Sequence, residues 1–273
     1  MLPTVSVITP SYNQVDYLRE TLESVVRQRD DIHEYFVFDG GSNDGSVELI
    51  REFEAKIDHW ITEKDKGQSD AIHKGFSRAT GDIIYWLNSD DVVLPGAIRR
   101  VREAFAKNPS WDVLTSYSTW IDQESKVLFM KRVPGESASM MRLGVHHVTQ
   151  QTCFFRRSLY EKIGGLNLDL HCMMDIDLWF RMTHAGAVWG HLPTYLGAFR
   201  VQPEAKGSKW RKQYAEEVTW MKQRFPEFYG GHPLKHRMGL LLYRMSQMLS
   251  GRYFAARRET GRAAGRNVRE VFA

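Results

Sequence analysis

The chain has 273 residues, 42% of them hydrophobic and 26% charged, enough for one large α/β domain or a domain plus an appendage. Its two cysteines, Cys153 and Cys172, exclude a disulfide framework and point to a reducing, cytoplasmic setting; with no leader pattern and no run of about 18 apolar residues, neither a secretory signal nor a spanning helix is expected. The net charge of +4 is uneven: from Lys235 onward nine Lys/Arg face two Glu, so the tail carries +7 and the rest −3, which argues against a nucleic-acid partner for the main domain.

In chain order, Val5 to Thr9 is a β-branched run that reads as a buried strand, broken by Pro10-Ser11-Tyr12-Asn13. Asp16 to Gln28 carries Leu18, Leu22, Val25 and Val26 at helical spacing. Glu34 to Phe38 is a second strand, ending at Asp39-Gly40-Gly41-Ser42-Asn43-Asp44-Gly45, and Ser46 to Ala55 is helical again through Val47, Ile50 and Phe53. His59 to Thr62 is a third strand, Ser69 to Ala79 a helix, Ile83 to Leu87 a fourth strand, and Pro95 to Lys107 a helix with proline near its first turn. Short apolar strands alternating with amphipathic helices predict a mostly parallel sheet with helices on both faces. Beyond about residue 110 the rhythm changes. Asp112 to Tyr117, Thr119 to Asp122 and Val127 to Lys131 read as short strands and turns, and Thr149 to Phe155 as a further strand. Asp175 to Ala185 is a helix, and Ala187 to Arg200 holds two strands. A softer boundary falls near Gly230-Gly231-His232-Pro233, followed by a helix with Met238, Leu241, Leu242, Met245, Met248 and Leu249 on one stripe.

Ligands of such sheets bind beyond the carboxyl ends of the strands. The polar clusters fall there: Ser11 to Asn13, Asp39 to Asp44 and Asn88 to Asp91. The last cluster poses a question, because an apolar run ends at two adjacent carboxylates that repel each other. A turn or a divalent cation would each account for it.

Five motifs together resemble one family. They are Thr9-Pro10-Ser11-Tyr12-Asn13, Asp39-Gly40-Gly41-Ser42-Asn43-Asp44-Gly45, Asp65-Lys66-Gly67-Gln68-Ser69-Asp70-Ala71, Asn88-Ser89-Asp90-Asp91 and Asp175-Ile176-Asp177-Leu178-Trp179. In this order and spacing, from Val5 to about Arg200, the chain resembles an inverting family 2 glycosyltransferase of the GT-A type. The resemblance implies a Rossmann-like GT-A catalytic domain over residues 1–230, with a nucleotide half to about 110 and an acceptor half beyond, followed by a basic amphipathic helical extension over 231–273. It implies transfer from a nucleotide-sugar donor, a UDP-sugar first, to a saccharide or lipid-linked hydroxyl in cell-surface polysaccharide or glycolipid synthesis.

On this resemblance Asp90 and Asp91 hold Mn²⁺ or Mg²⁺, which takes oxygen ligands and neutralises a departing diphosphate. Pro10, Ser11, Tyr12 and Asn13 line the nucleotide pocket with Gly67, Asp70, Asn88 and Ser89. Asp39 accepts from the uracil ring, an acceptor-only group for an imide N–H, and Asn88 bonds the ribose. Asp175 is the general base that deprotonates the acceptor, with Asp177 as runner-up. The chain departs from the family where Asn88 stands for Asp, Met174 for Glu and Gln202 for His, and in Ile72 and His73 after the third motif. Lys206, Lys209 or Arg211 could meet the diphosphate, and His146, His147, Gln150 and Gln151 could line the acceptor side with the Gly164-Gly165 loop. Plainer roles stand beside these: a tight turn at Asp39, a dipole partner in Asp70, and an N-cap in Asp175. The basic tail reads as a helix on an anionic membrane surface at the inner face of the plasma membrane, or as a helical pair packed on the domain. A catalytically inactive nucleotide-sugar binder is the main alternative. A nucleotidyltransferase or a dinucleotide oxidoreductase would need a glycine-rich phosphate loop after the first strand, and none is there.

Overall fold

The computed structural model describes residues 1–136, 138–203, 210–228 and 233–273. β1 (Val5–Ser11) is buried along its whole length, and its side chains alternate between two cores: Val5 and Val7 enter one, Ile8 the other. A strand that is apolar on both faces needs cover on both. α1 (Val15–Val26) covers the first face with Leu18, Leu22 and Val25. β2 (Glu34–Asp39) repeats the alternation, Tyr35 and Val37 against Phe36 and Phe38, and α2 (Ser46–Glu52) joins α1 through Leu49 and Ile50. β3 (His59–Thr62) is the sheet edge; α3 (Gln68–Arg78) covers the second face through Ile72 and Phe76. β4 (Ile83–Trp86), the two-residue β5 (Val92–Val93) and α4 (Ala97–Lys107) complete this half.

The second half adds β6 (Val113–Ile121), β7 (Val127–Lys131), the single turn α5 (Ala138–Met141), β8 (Phe154–Arg156), α6 (Arg157–Lys162), α7 (Met174–His184) and β9 (Trp189–Arg200). α8 (Arg211–Arg224), α9 (Pro233–Leu249), α10 (Arg252–Ala263) and α11 (Val268–Val271) follow. The sheet order is β3-β2-β1-β4-β8-β6-β9-β5, with β7 paired to β6. β1 to β4 pair in parallel, and β8 then enters antiparallel beside β4. The sheet is thus parallel from β1 to β4 and mixed beyond, where only β6 and β9 run parallel among the later pairs.

Several boundaries differ from the sequence expectation. The two strands expected over 112–122 are one: Ser116, Ser118 and Thr119 look like turn residues but lie buried in β6. The two expected over 187–200 are also one, because Pro193 and Thr194 are absorbed where the register with β6 jumps from Leu192 to Tyr195. The strand expected from Thr149 is a 3₁₀ turn, Gln150–Thr152, before the shorter β8. The last residues do not trail away. Asn267 bridges Lys126 antiparallel, and Val268 and Ala263 are buried with Ile121, Val127 and Tyr195 in a third core.

Candidate active site

The loops leaving the carboxyl ends of β1 and β2 are laced together. Asn13, at a φ of 50°, donates its N–H to Ser42 Oγ at 2.8 Å, and its Oδ1 accepts from Asn43 N–H at 3.0 Å. Asp39 Oδ2 accepts from the Gly41 and Ser42 amides and the Thr62 hydroxyl at 3.1, 2.9 and 2.7 Å, and Oδ1 accepts from Ser42 Oγ. The carboxylate therefore builds the turn it sits in. Gly40 leaves room for the next loop: a Cβ there would stand 2.6 Å from Asp65 Oδ2, while Asp65 Oδ1 accepts from Gly67 N–H at 2.8 Å. Gly67, at φ 114° and ψ 173°, occupies backbone space that only glycine enters freely, and it opens α3. Asp70, in the first turn of α3, accepts from Lys66 N–H at 3.2 Å and pairs with Lys74 at 3.1 Å. Burial raises its pKa, but these bonds outweigh burial and hold it below the ordinary carboxylate value.

Pro10 and Ser11 end β1 in register with Phe38 and Asp39. Ser11 is only 4% exposed, yet its Oγ has no hydrogen-bond partner among the described residues, whereas Tyr12 beside it is 61% exposed. A buried hydroxyl left unsatisfied costs about 1–3 kcal/mol. It is the kind of atom that a bound ligand satisfies.

At the end of β4 the four residues of Asn88-Ser89-Asp90-Asp91 have separate duties. Asn88 is the hub of a side-chain network: its Oδ1 accepts from Trp86 Nε1 at 2.6 Å and Gln68 Nε2 at 2.7 Å, and its amide donates to Gln150 Oε1 at 3.1 Å. That leaves it little capacity for a ribose. Ser89 is buried. Asp91 is turned into the core, where Oδ1 accepts from Arg200 N–H at 2.9 Å and its carbonyl accepts from Thr21 Oγ1 at 2.7 Å. Burial, and then the charge of Asp90, push its pKa well above the usual range. Asp90 is also raised by burial; its Oδ2 accepts from Gln202 Nε2 at 3.0 Å. Asp90 and Asp91, expected to share a cation, thus differ in setting: Asp91 Oδ1 holds the backbone of β9 and Asp90 faces Gln202. Among the described residues no group of three or more His, Cys, Asp and Glu side chains gathers to hold a metal. One carboxylate beside the Gln202 amide fits a hard cation that takes its remaining oxygens from phosphates and water.

The acidic segment meets these loops at the start of α7. Ser69 Oγ donates to Leu170 O at 2.5 Å and lies 2.8 Å from Met174 Sδ, and a Cβ on Gly67 would approach His171 Nδ1 at 3.2 Å. Met174 is thus a core residue that ties α7 to α3. Asp175 follows it, half-buried, with Oδ1 accepting from Ile176 N–H at 2.8 Å. It lies inside the first turn of α7, two residues beyond the N-cap Met173, so it is not the cap that the sequence offered as its plainer role. Asp177 is different. It is buried and paired with Arg181 at 2.7 Å, and Arg181 in turn donates to the carbonyls of Ile163 and Gly165 at 3.1 and 2.6 Å. Through Arg181 its carboxylate fixes the Gly164-Gly165 turn.

Glu217, unforeseen in the sequence, holds the segment that leads into α7. From α8 it accepts the N–H groups of His171, Cys172 and Met173 at 3.0, 2.8 and 2.8 Å, immediately before α7. A cleft of about 650 Å³ lies against the same segment, lined by Asp169, Leu170, Trp210, Glu216 and Trp220 among others. None of the strand-end residues lines it. Gln150 belongs to the Asn88 network; Gln151 is fully buried, accepting the Tyr85 hydroxyl on its carbonyl at 2.9 Å. His146 and His147 pack away from these loops, His147 stacked on Tyr243 of α9. Arg211 is the exposed first residue of α8, and Lys206 and Lys209 lie outside the described residues.

Comparison with known proteins bears on the family and the fold. The model of glycosyl transferase family 2 matches residues 6–164, more than half of the chain. An uncharacterized glycosyltransferase of Mycobacterium tuberculosis is 35% identical over 179 residues, 63% of this chain and 66% of that protein. A protein described as a teichuronic acid biosynthesis glycosyltransferase, TuaG of Bacillus subtilis, is 40% identical over 93 residues, 33% of this chain and 36% of its own length. The chain thus spans just under two thirds of the first relative and about a third of the second. Among solved structures, a mannosyltransferase of Pyrobaculum calidifontis in complex with GDP-Man and Mn²⁺ superposes with a TM-score of 0.63 at 19% identity, over 88% of this chain and 70% of that one. Residues 1–349 of S. aureus TarS in complex with UDP-GlcNAc superpose with a TM-score of 0.57 at 16% identity, over 73% and 59%. At these identities the likeness is one of fold, the GT-A arrangement expected from the sequence.

Proposed function

The chain belongs to glycosyl transferase family 2, and we propose that it moves a sugar from a nucleoside-diphosphate donor, a UDP-sugar, to a saccharide or lipid-linked hydroxyl, inverting the anomeric carbon. The observation that carries this reading is the Ser11 hydroxyl, buried and without a partner among the described residues, between exposed Tyr12 and the Asp39 turn. Tyr12 offers its ring to the base, Asp39 and Asn13 shape the rim through the turns they hold, and the Gly67 and Asp70 turn closes the nucleotide side. Asp90, beside Gln202, is the residue to hold Mn²⁺ or Mg²⁺, which when bound neutralises the charge of the leaving diphosphate. Asp175 takes the proton of the acceptor hydroxyl as that oxygen attacks. Asp177 acts through Arg181 on the Gly164-Gly165 turn beside the acceptor. The nucleotide-sugar complexes of the two superposed structures support the donor class, and the GDP-Man complex also supports a divalent cation. The likeness to TuaG supports polysaccharide assembly as the setting.

Calorimetric titration of UDP, GDP and TDP, each with and without Mn²⁺, tests the donor site. UDP is expected to bind, more tightly with Mn²⁺, and Asp90→Ala to remove the Mn²⁺ dependence. Asp175→Asn is expected to lower transfer by about 10²–10⁴-fold while leaving UDP affinity nearly unchanged. If no nucleotide binds under any metal condition, the reading fails. Binding without turnover of any sugar donor would leave an inactive binder, a state that Asn88, Met174 and Gln202 make chemically reasonable.

A further inference from the structure

α9 is turned inside out for a helix on a water-soluble body. The face packed on the protein carries Gly239, Tyr243 and Gln247, spaced by four residues and therefore on one side of the helix. Gly239 is pressed against the 143–145 loop, where a Cβ would stand 2.7 Å from Leu143 Cβ. Tyr243 stacks on His147 with ring centroids 3.9 Å apart, and Gln247 is buried. The opposite face carries Leu234, Met238, Leu241, Leu242, Met245, Met248 and Leu249, exposed by between 46% (Leu242) and 85% (Leu249). Tyr253 and Phe254 continue this exposed surface into α10. Single exposed apolar residues are ordinary, but a contiguous patch marks a surface that something covers.

The charges around the patch say what covers it. From Phe228 to Arg258 the sequence has six Lys/Arg and no Asp or Glu. At about 100° per residue, Arg237 and Arg244 fall on one flank of the apolar stripe and Lys235 on the other. A second copy of the chain would bring six like charges against six. An anionic surface would meet them with opposite charge, while long basic side chains reach past the apolar stripe to the headgroups. No helix among the described residues is long and apolar enough to cross a membrane, so a helix of this kind meeting lipid would lie in the plane of the surface. We propose that the outer face of α9, continued by Tyr253 and Phe254, docks this protein in the plane of an anionic lipid surface. The proposal is independent of the donor chemistry above.

The test is flotation of the full chain with vesicles of phosphatidylcholine alone and of phosphatidylcholine mixed with phosphatidylglycerol. Binding to the mixed vesicles is expected to be on the order of 10-fold stronger or more, and to weaken as salt is raised. The double variant Leu241→Ser/Met245→Ser is expected to lose binding by a similar factor with unchanged circular dichroism, since both side chains point away from the body. Arg237→Glu/Arg244→Glu is expected to abolish the preference for anionic vesicles with the apolar stripe intact. Absence of vesicle binding, or equal binding to both compositions, overturns the proposal. So does a vesicle-free dimer that Leu241→Ser/Met245→Ser dissolves, which would assign the face to a second copy.

Discussion

Arg200 is the largest side chain that the fold closes off completely. Its Nε donates to Asp90 O at 2.8 Å, Nη1 to Asp122 O, Gln123 O and Ser125 Oγ at 2.9, 3.1 and 3.0 Å, and Nη2 to Glu20 Oε2 at 2.6 Å. Its own N–H holds Asp91. One guanidinium therefore fixes the backbone of the residue proposed to hold the cation, from behind. Glu20 closes the network by accepting from Arg269 Nε at 3.0 Å and from Ser125 Oγ. Burial works against its charge, yet these partners hold its pKa below the ordinary value. Removing the cation would leave Glu20 buried and short of a partner, so Arg200→Ala is expected to cost about 3–5 kcal/mol in urea unfolding. Arg200→Lys should recover only part of that, because an ammonium cannot reproduce the planar fork. A loss below about 0.5 kcal/mol for Arg200→Ala, the size of an ordinary surface change, would mean that the network is not what holds this strand end. None of this was legible in the sequence. A buried arginine and a surface arginine read alike in one chain, and Arg200 drew notice only as the neighbour of Gln202, a position at which the family resemblance leads to an expectation of histidine. Asp90 was legible as a strand-end carboxylate, whereas the inward turn of Asp91 depends on β9, more than 100 residues away along the chain.

At the scale of elements, β1, β2 and β4 were legible because both their faces are apolar and short helices intervene, so local pattern and tertiary burial agree. β6 and β9 were not, since buried Ser and Thr imitate a turn and Pro193 sits in a bulge. α8 escaped notice for a related reason: only Glu217 and Met221 are buried along it, so it has almost no apolar period to read. Its anchor is a carboxylate on three amides. The seat of α9 carries a measurable acid sensitivity. Burial, and then the Lys131 charge, hold His146 at about 4 and His147 at about 3, against 6.5 for an unperturbed ring. Both rings are therefore neutral in the folded protein, while the unfolded chain takes up protons below 6.5. Stability is expected to fall as pH drops from about 6.5 toward 4, by up to about 1.4 kcal/mol per pH unit for each ring. Denaturant unfolding at neutral pH and near pH 5 measures the slope. His147→Phe keeps the aromatic contact with Tyr243 and removes one titrating group, so its slope should be shallower. Identical slopes would show that His147 is not excluded from protonation by its burial.

For the whole molecule, the tail beyond residue 232 serves in two ways. Its first helix turns an apolar face outward, and its last residues rejoin the body. Glu259 accepts from Tyr195 at 2.6 Å and pairs with Arg132, Arg269 reaches Glu20 and Glu23, and Val268 is fully buried beneath the Lys126–Asn267 bridge. The sequence showed the basic charge and the apolar stripe of this region. It could not show the return, because Val268 and Ala263 are two small residues in a stretch otherwise rich in arginine, too few to mark a core contact. The consequence is that the tail and the sheet should unfold together. Fully burying a valine is worth about 1.5–3 kcal/mol, and a hydroxyl placed there would lack a partner, so Val268→Ser should lower the stability of the entire domain by about 2 kcal/mol or more. The body has its own reporters in Trp60, Trp86 and Trp111, all near the parallel strands. Their fluorescence transition should shift by the same amount as the circular dichroism of the helices. A tryptophan transition that stays fixed while part of the helical signal melts early would mean that the tail is an independent unit. The contacts of Glu259, Val268 and Arg269 with β6, β7 and α1 would then contribute little to holding the sheet.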